Sequence, residues 1–300
     1  MAALAALLPA TALGEDFLQE DEPLFVENEW NFVDASMDVS GGIPEDAEGA
    51  LAGIREAGVL RVATEPYFPP QEFIDPSLSG QESYVGADME LARMIARRMG
   101  VELQIVPMDF SEVLDAVAEG SCDLTISGLA YTPGRAARVT LSKGYHYTEG
   151  NVGSGLLIRE ADAEAIREVK DLAGRDICVQ SGSLQETLMA EHVPQYREFR
   201  RLPSMQDVYH AVEQGTADAA TVDIENAEGY MKNNPDCGLA LVPGVRFQLD
   251  EQFDGDRIAA KKGELQLMYF VNGVIDEVLA SGQYKAWFEE YAAYAARLGL

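Results

Sequence analysis

Residues 113–123 read VLDAVAEGSCD and residues 208–218 read VYHAVEQGTAD, a self-similarity at a spacing of 95. Both carry Val, an Ala-Val pair three residues on, Gly three after that Val, and Asp three after the Gly. The apolar positions 113, 114 and 117, and 208 and 212, share a helix face, with the Gly where a helix C-cap belongs. Short apolar runs follow at 124–126 and 219–222, the length of buried strands. Upstream, Gly58 and Gly174 each open a further strand, ending at Thr64 and Gln180, and helical periods run over 88–99 and 184–191. Strand, helix, strand, helix, strand is the order of a parallel sheet covered by helices. The chain therefore reads as two similar α/β lobes. Ligands on such sheets lie beyond the carboxyl ends of the strands. If the lobes face each other, Thr64, Glu65, Ser127, Gly128, Gln180, Gly182 and Asp223 converge on one cleft.

A length of 300 residues allows about two domains, and 47% hydrophobic residues can fill two cores. The net charge of −29 repels phosphate backbones and anionic lipid surfaces, which disfavours nucleic-acid and membrane-surface partners. Beyond the N-terminus no run approaches the apolar length of a membrane-spanning helix, which excludes a polytopic membrane protein. Residues 1–13, MAALAALLPATAL, are apolar, and Ala10-Thr11-Ala12 has the small-x-small form of a cleavage site. Residues 1–12 are read as a signal-peptide remnant and the protein as exported, although the first basic residue is Arg55. Residues 13–54 form an acidic extension with twelve carboxylates between Glu15 and Glu48. Its aromatics Phe17, Phe25, Trp30 and Phe32 indicate that part of it docks on the body. Cys122, Cys178 and Cys237 allow at most one disulfide, include no Cys-x-x-Cys pair, and read as packing residues.

Catalytic signatures are missing: there is no Gly-x-Ser-x-Gly, His-Glu-x-x-His, P-loop or Gly-x-Gly-x-x-Gly motif. Of His146, His192 and His210, the last two fall on predicted helices as surface or packing residues. No metal or cofactor is expected. Thr132-Pro133 reads as an N-cap and N1 proline, which places Arg135 in a first helical turn beside the end of the 124–126 strand. A guanidinium there can hold a carboxylate through two parallel hydrogen bonds. Asp223, at the equivalent strand end of the other lobe, can take an ammonium group, or can simply cap the helix that follows. Phe68 and Phe110 flank the same strand ends and offer two flat faces, or core packing.

These pieces, in this order, resemble the bacterial extracellular solute-binding proteins of family 3, the polar amino-acid receptors of ABC importers. The resemblance spans about residues 56–290. It rests on Gly58-x-Leu-Arg-Val-Ala-Thr64, Tyr67-Phe-Pro-Pro70, Val85-Gly-Ala-Asp-Met-Glu-Leu-Ala92, Asp123-Leu-Thr-Ile-Ser-Gly128, Thr132-Pro-Gly-Arg135, Val179-Gln-Ser-Gly-Ser183, Ala219-Ala-Thr-Val-Asp223 and Ser281-Gly-Gln-Tyr284. It implies a type II periplasmic-binding-protein fold of two lobes, each a mostly parallel sheet flanked by helices, joined by two crossover hinge strands. Lobe 1 would comprise 55–150 plus 249–300, and lobe 2 would comprise 151–248. The implied function is capture of one amino acid, a zwitterion, by hinge closure and its delivery to membrane permease subunits by a periplasmic, monomeric protein.

By the same resemblance, Arg135 clamps the α-carboxylate with backbone help around Gly128 and Ala130, and Asp223 takes the α-ammonium. Phe68 and Phe110 sandwich the side chain, Glu65 touches its distal end, and Ser127, Gly182, Ser183 and Leu184 complete the site. Ala130 and Leu184 stand where hydroxyl side chains are common, and Gln71 replaces the Phe of a Pro-Phe-Glu-Phe run. Glu65 favours a ligand with a cationic or hydrogen-bond-donating side chain. The alternative on the same fold is a periplasmic cyclohexadienyl or arogenate dehydratase-like enzyme, with Glu225 or Glu65 as the acid. A sensory input module is a third reading.

Overall fold

The computed structural model describes residues 32–148, 153–247 and 254–300. The signal-peptide remnant at 1–12 and the two crossovers expected at 150/151 and 248/249 lie outside the described residues.

The chain enters through helix α1 (Gly49–Ala57), turns at Gly58 in the left-handed conformation (φ +67°), and runs into strand β1 (Val59–Thr64). A small antiparallel sheet follows: β2 (Tyr67–Phe68), β3 (Glu72–Ile74) and β4 (Tyr84–Val85). Next come α2 (Ala87–Met99), β5 (Glu102–Pro107), α3 (Val113–Glu119), β6 (Leu124–Thr125), α4 (Pro133–Arg138) and β7 (Val139–Leu141). The second half contains β8 (Ser154–Arg159), β9 (Asp176–Gln180), α5 (Leu184–His192), β10 (Glu198–Leu202), α6 (Met205–Glu213), β11 (Ala219–Asp223), α7 (Ile224–Asn233) and β12 (Leu239–Phe247). The chain then returns to the first half as β13 (Ala259–Lys261), α8 (Leu265–Ala280) and α9 (Gln283–Leu298).

Two five-stranded sheets result, ordered β5-β1-β6-β13-β7 and β10-β9-β11-β8-β12. The repeated segments occupy equivalent places. α3 leads into β6 and α6 into β11, each strand lying third in its sheet, with Gly120 (φ +84°) and Gly215 (φ +71°) ending the helices. Parallel pairing holds for the first three strands of each sheet, and the last two pair antiparallel. Each sheet is thus mostly parallel with one reversed strand: four strands run one way, and β13 or β8, fourth in its sheet, runs opposite to them.

Side chains alternate across both sheets as the pleat requires. Leu60 and Val62 face Leu91, Ile95, Phe270 and Val274, whereas Ala63 faces Val113 and Val117. In the second sheet Ile177 and Val179 pack with Met189 of α5, and Cys178 packs with Val208 and Val212 of α6. Cys122 is also buried and Cys237 half-buried, and all three thiols are free.

The acidic extension docks over its described part. Val33, Val39 and Ala47 join the core under α8, Val33 N–H donates to the Leu141 carbonyl at 2.8 Å, and the buried Asn272 amide donates to the Val33 and Ala35 carbonyls. Gly273 permits this, since a Cβ there would lie 2.2 Å from the Met37 carbonyl oxygen. The boundary expected at 54/55 falls inside α1.

Candidate ligand-binding cleft

The carboxyl ends of β1, β6, β9 and β11 open on one cleft between the two sheets. It is lined by Glu65, Phe68, Phe110, Ser127, Gly128, Ala130, Arg135, Ser183, Leu184 and Asp223, all expected there. Gly182 sits at its rim, and its carbonyl accepts a hydrogen bond from Arg135 Nη2 at 3.0 Å. His192 and His210 do not line it; His192 stacks on the lining residue Phe247, with centroids 5.4 Å apart.

Local structure explains each placement. Thr132 caps α4 by accepting from Arg135 N–H at 3.1 Å, and Pro133 occupies the first turn. That cap turns Arg135 inward. Its Nη1 donates to the Ala130 carbonyl at 2.7 Å, and the guanidinium carbon lies 5.6 Å from the Phe110 ring centroid. Burial lowers the Arg135 pKa to about 10, with Asp256 opposing, so it stays charged at neutral pH. Ser183 caps α5 through Glu186 N–H at 3.1 Å and donates to the Gln180 carbonyl at 2.7 Å. Asp223 Oδ1 caps α7 through Asn226 N–H at 2.9 Å, and the residue also lines the cleft.

The floor is a carboxylate layer. Glu65 N–H donates to Ser127 Oγ at 3.0 Å, and that hydroxyl donates to Glu72 Oε1 at 3.0 Å. Behind them Asp88, at the start of α2, accepts from Gly128 N–H (3.1 Å), Tyr145 OH (2.7 Å) and Tyr284 OH (2.5 Å). This fixes the Gly128 turn (φ +50°), whose open face lies against the Phe68 ring. Glu65 and Glu72 are only 2% and 1% exposed. Among the described residues, Glu65 Oε1 and Glu72 Oε2 have no hydrogen-bond partner. Burial, with the charges of Asp109 and Asp207 adding to it, raises Glu65 to about 8. Burial beside Asp88 and Glu65 raises Glu72 well above the carboxylate range. Burial also raises Asp223 to about 7 and Asp256 to about 6.

Gln71, Glu72, His146, Gln185, Phe247 and the return segment Asp254-Gly255-Asp256 line the cleft as well, and sequence reasoning missed them as site residues. Gln71 and Glu72 arrive on the β2–β3 fold-back and Asp256 on the chain returning from the second sheet, so spacing along the chain carries no sign of them. Burial opposes the charged form of His146, but the Glu225 carboxylate 3.8 Å away and the charges of Asp256 and Asp88 outweigh it and raise its pKa.

These shifts give a stability prediction with a definite sign. A carboxyl group raised in the folded state contributes stability below its unfolded value of about 4, and that contribution is lost as pH rises through the folded pKa. Unliganded protein in 0.5 M salt, which screens surface repulsion, should therefore melt at a lower temperature at pH 8.5 than at pH 5.5. Glu65→Gln should flatten that slope. A melting temperature rising over this interval would contradict the protonated floor.

Two α/β halves presenting a buried cation, several carboxylates and two aromatic faces to a shared cleft define a two-lobed solute-capture protein. The model of the bacterial extracellular solute-binding proteins, family 3, matches residues 60–294, and the chain belongs to that family. It is 31% identical over 214 residues to the arginine-binding extracellular protein ArtP of Bacillus subtilis, covering 69% of this chain and 79% of that protein. Among solved structures it is similar to the amino acid ABC transporter substrate-binding protein AbpA from Streptococcus pneumoniae bound to L-arginine. That match has a TM-score of 0.71 at 30% identity, over 81% of this chain and 98% of that one. It is also similar to an ancestral amino acid-binding protein described as a precursor of cyclohexadienyl dehydratase. There the TM-score is 0.68 at 26% identity, over 81% of this chain and 99% of that one.

Proposed function

We propose that this protein captures a cationic L-amino acid, L-arginine foremost, outside the cytoplasm and delivers it to the permease subunits of an ABC importer. The observation that carries this reading is the pair of buried, unpartnered oxygens on Glu65 and Glu72 in the same cleft as Arg135. Each group leaves one oxygen without a donor and keeps its proton in the unliganded cleft; a guanidinium arriving there can displace those protons and supply donors to both oxygens. The arginine-binding relatives support it.

In this reading Arg135 clamps the α-carboxylate with the backbone of Gly128 and Ala130, and Asp223 takes the α-ammonium. Phe68 and Phe110 sandwich the aliphatic stem, and Glu65 with Glu72 holds the distal cation. Ser127, Gly182, Ser183 and Leu184 shape the walls. Lobe 1 comprises 55–150 plus 249–300 and lobe 2 comprises 151–248; they close as a monomer over the ligand, with contacts from both lobes favouring the closed state.

The protein is read as a binder without catalysis. The neighbouring His146 and the Thr148 hydroxyl lower the pKa of Glu225, which disfavours it as the proton donor that a dehydratase needs. Glu65, raised to about 8, keeps its proton and leaves the turnover assay to decide. The test is a thermal-shift series with L-arginine, L-lysine, L-glutamine and L-glutamate, alongside an assay for turnover of arogenate and prephenate. At 100 times its dissociation constant a ligand adds about 2.7 kcal/mol. The expected result is the largest shift with L-arginine, none with L-glutamate, and no turnover. Stabilisation by L-glutamate alone, or turnover of either acid, would overturn the reading.

A further inference from the structure

We infer that Asp256 is a ligand-contacting residue, a second anion for the ligand's ammonium group, held in place by Gln71. The inference deepens the amino-acid reading of this cleft and rests on it.

The backbone of Asp256 is fixed on both sides. It forms antiparallel bridges with Ala130 and with His146. Asp256 N–H donates to the His146 carbonyl and Tyr145 N–H to the Asp256 carbonyl, each at 2.9 Å, and the next residue, Arg257, donates its N–H to the Leu129 carbonyl at 2.9 Å. Its carboxylate is oriented as well, since Gln71 Nε2 donates to Asp256 Oδ2 at 2.9 Å. Gln71 is itself buried, 5% exposed, and both residues line the cleft. A carboxylate held by one neutral amide is not neutralised, and its other oxygen remains available. The only cationic side chains lining the cleft among the described residues are Arg135 and, when protonated, His146.

The position follows from the bridge to Ala130. Ala130 offers no side-chain polar atom at a point where its carbonyl already binds Arg135, so the wall there takes its charge from the residue across the bridge. Asp223 reaches the cleft from β11 of the second sheet, while Asp256 reaches it from the segment leading into β13 of the first. Asp223 feels the charge of Asp256, which is among the groups that raise it. An ammonium group between them is gripped from opposite sides, and its full stabilisation requires the two sheets to be close.

The test is a cycle in which the ligand, as well as the protein, loses a group. Affinities of wild type, Asp256→Asn and Gln71→Leu are measured calorimetrically for L-arginine and for 5-guanidinopentanoate, its analogue without the α-amino group. L-Glutamine serves as a neutral amino acid with the same ammonium. Asp256→Asn should weaken L-arginine about tenfold or more, the range of a charged hydrogen bond, and change the analogue less than twofold. Gln71→Leu should show the same pattern with a smaller loss. Unliganded melting temperatures report folding separately, and Asp256→Asn should not lower them.

Equal losses for both ligands, or no loss for L-arginine, would overturn the inference while leaving the cationic cargo intact. Binding of L-glutamine but not L-arginine, with the Asp256→Asn loss retained, would sustain Asp256 and overturn that cargo. Failure of wild type to bind any of the three would overturn both.

Discussion

Arg135→Met is expected to weaken L-arginine binding about a hundredfold or more. Arg135 is 7% exposed and already anchored by Ala130 and Gly182, so its remaining N–H groups meet a carboxylate at little cost in side-chain freedom. Truncating one partner of a buried, hydrogen-bonded charge pair costs about 2–5 kcal/mol, because the other charge is left unpaired. The loss should be similar for every L-amino acid the protein binds, since all share the α-carboxylate. Arg135→Lys keeps the charge but not the planar fork, and should fall between wild type and Arg135→Met. Calorimetric titration measures both variants. An affinity within threefold of wild type in Arg135→Met would remove Arg135 from the site.

Glu65→Gln is expected to act on selectivity. The carboxylate is buried, and Ser127 fixes its backbone from below. Replacing it with an amide of the same shape removes a charged hydrogen bond worth about 1.5–3 kcal/mol, so L-arginine affinity should fall about 10- to 100-fold. L-Citrulline, which carries a urea in place of the guanidinium, should bind the variant at least as well as wild type. The same substitution removes a buried ionisable group, so the unliganded variant should melt higher than wild type at pH 8.5. A parallel loss for both ligands would indicate that Glu65 shapes the wall without reading the ligand's charge.

The repeat made the fold legible. Two copies of one apolar pattern, each ending in Gly and leading into a short buried strand, specify both helices and the third strand of both sheets. Glu65, Ser127, Gly128 and Asp223 became legible with it, because parallel strands deliver their carboxyl ends to one edge. Arg135 was legible through its Thr-Pro cap. Gln71, Glu72 and Asp256 were not, because fold-backs and a chain return, with no periodicity to mark them, bring them to the cleft. The reversed fourth strand of the first sheet escaped for a similar reason: β13 is three residues long, and its direction depends on where the chain re-enters.

The docked segment 32–48 bears on how small a working version of this protein can be. Phe32 lays its ring 3.9 Å from the Arg257 guanidinium carbon, and Arg257 directly follows Asp256 in the return segment. A version trimmed to begin at Gly49 would strip Asn272 of its two carbonyl acceptors, uncover the helix face at Gly273, and remove the ring that backs Arg257. The repeated halves are thus not a portable module on their own. Residues 32–48, a stretch with no counterpart in the repeat, are therefore expected to be needed in the smallest version that folds and binds, because they back the segment that carries Asp256.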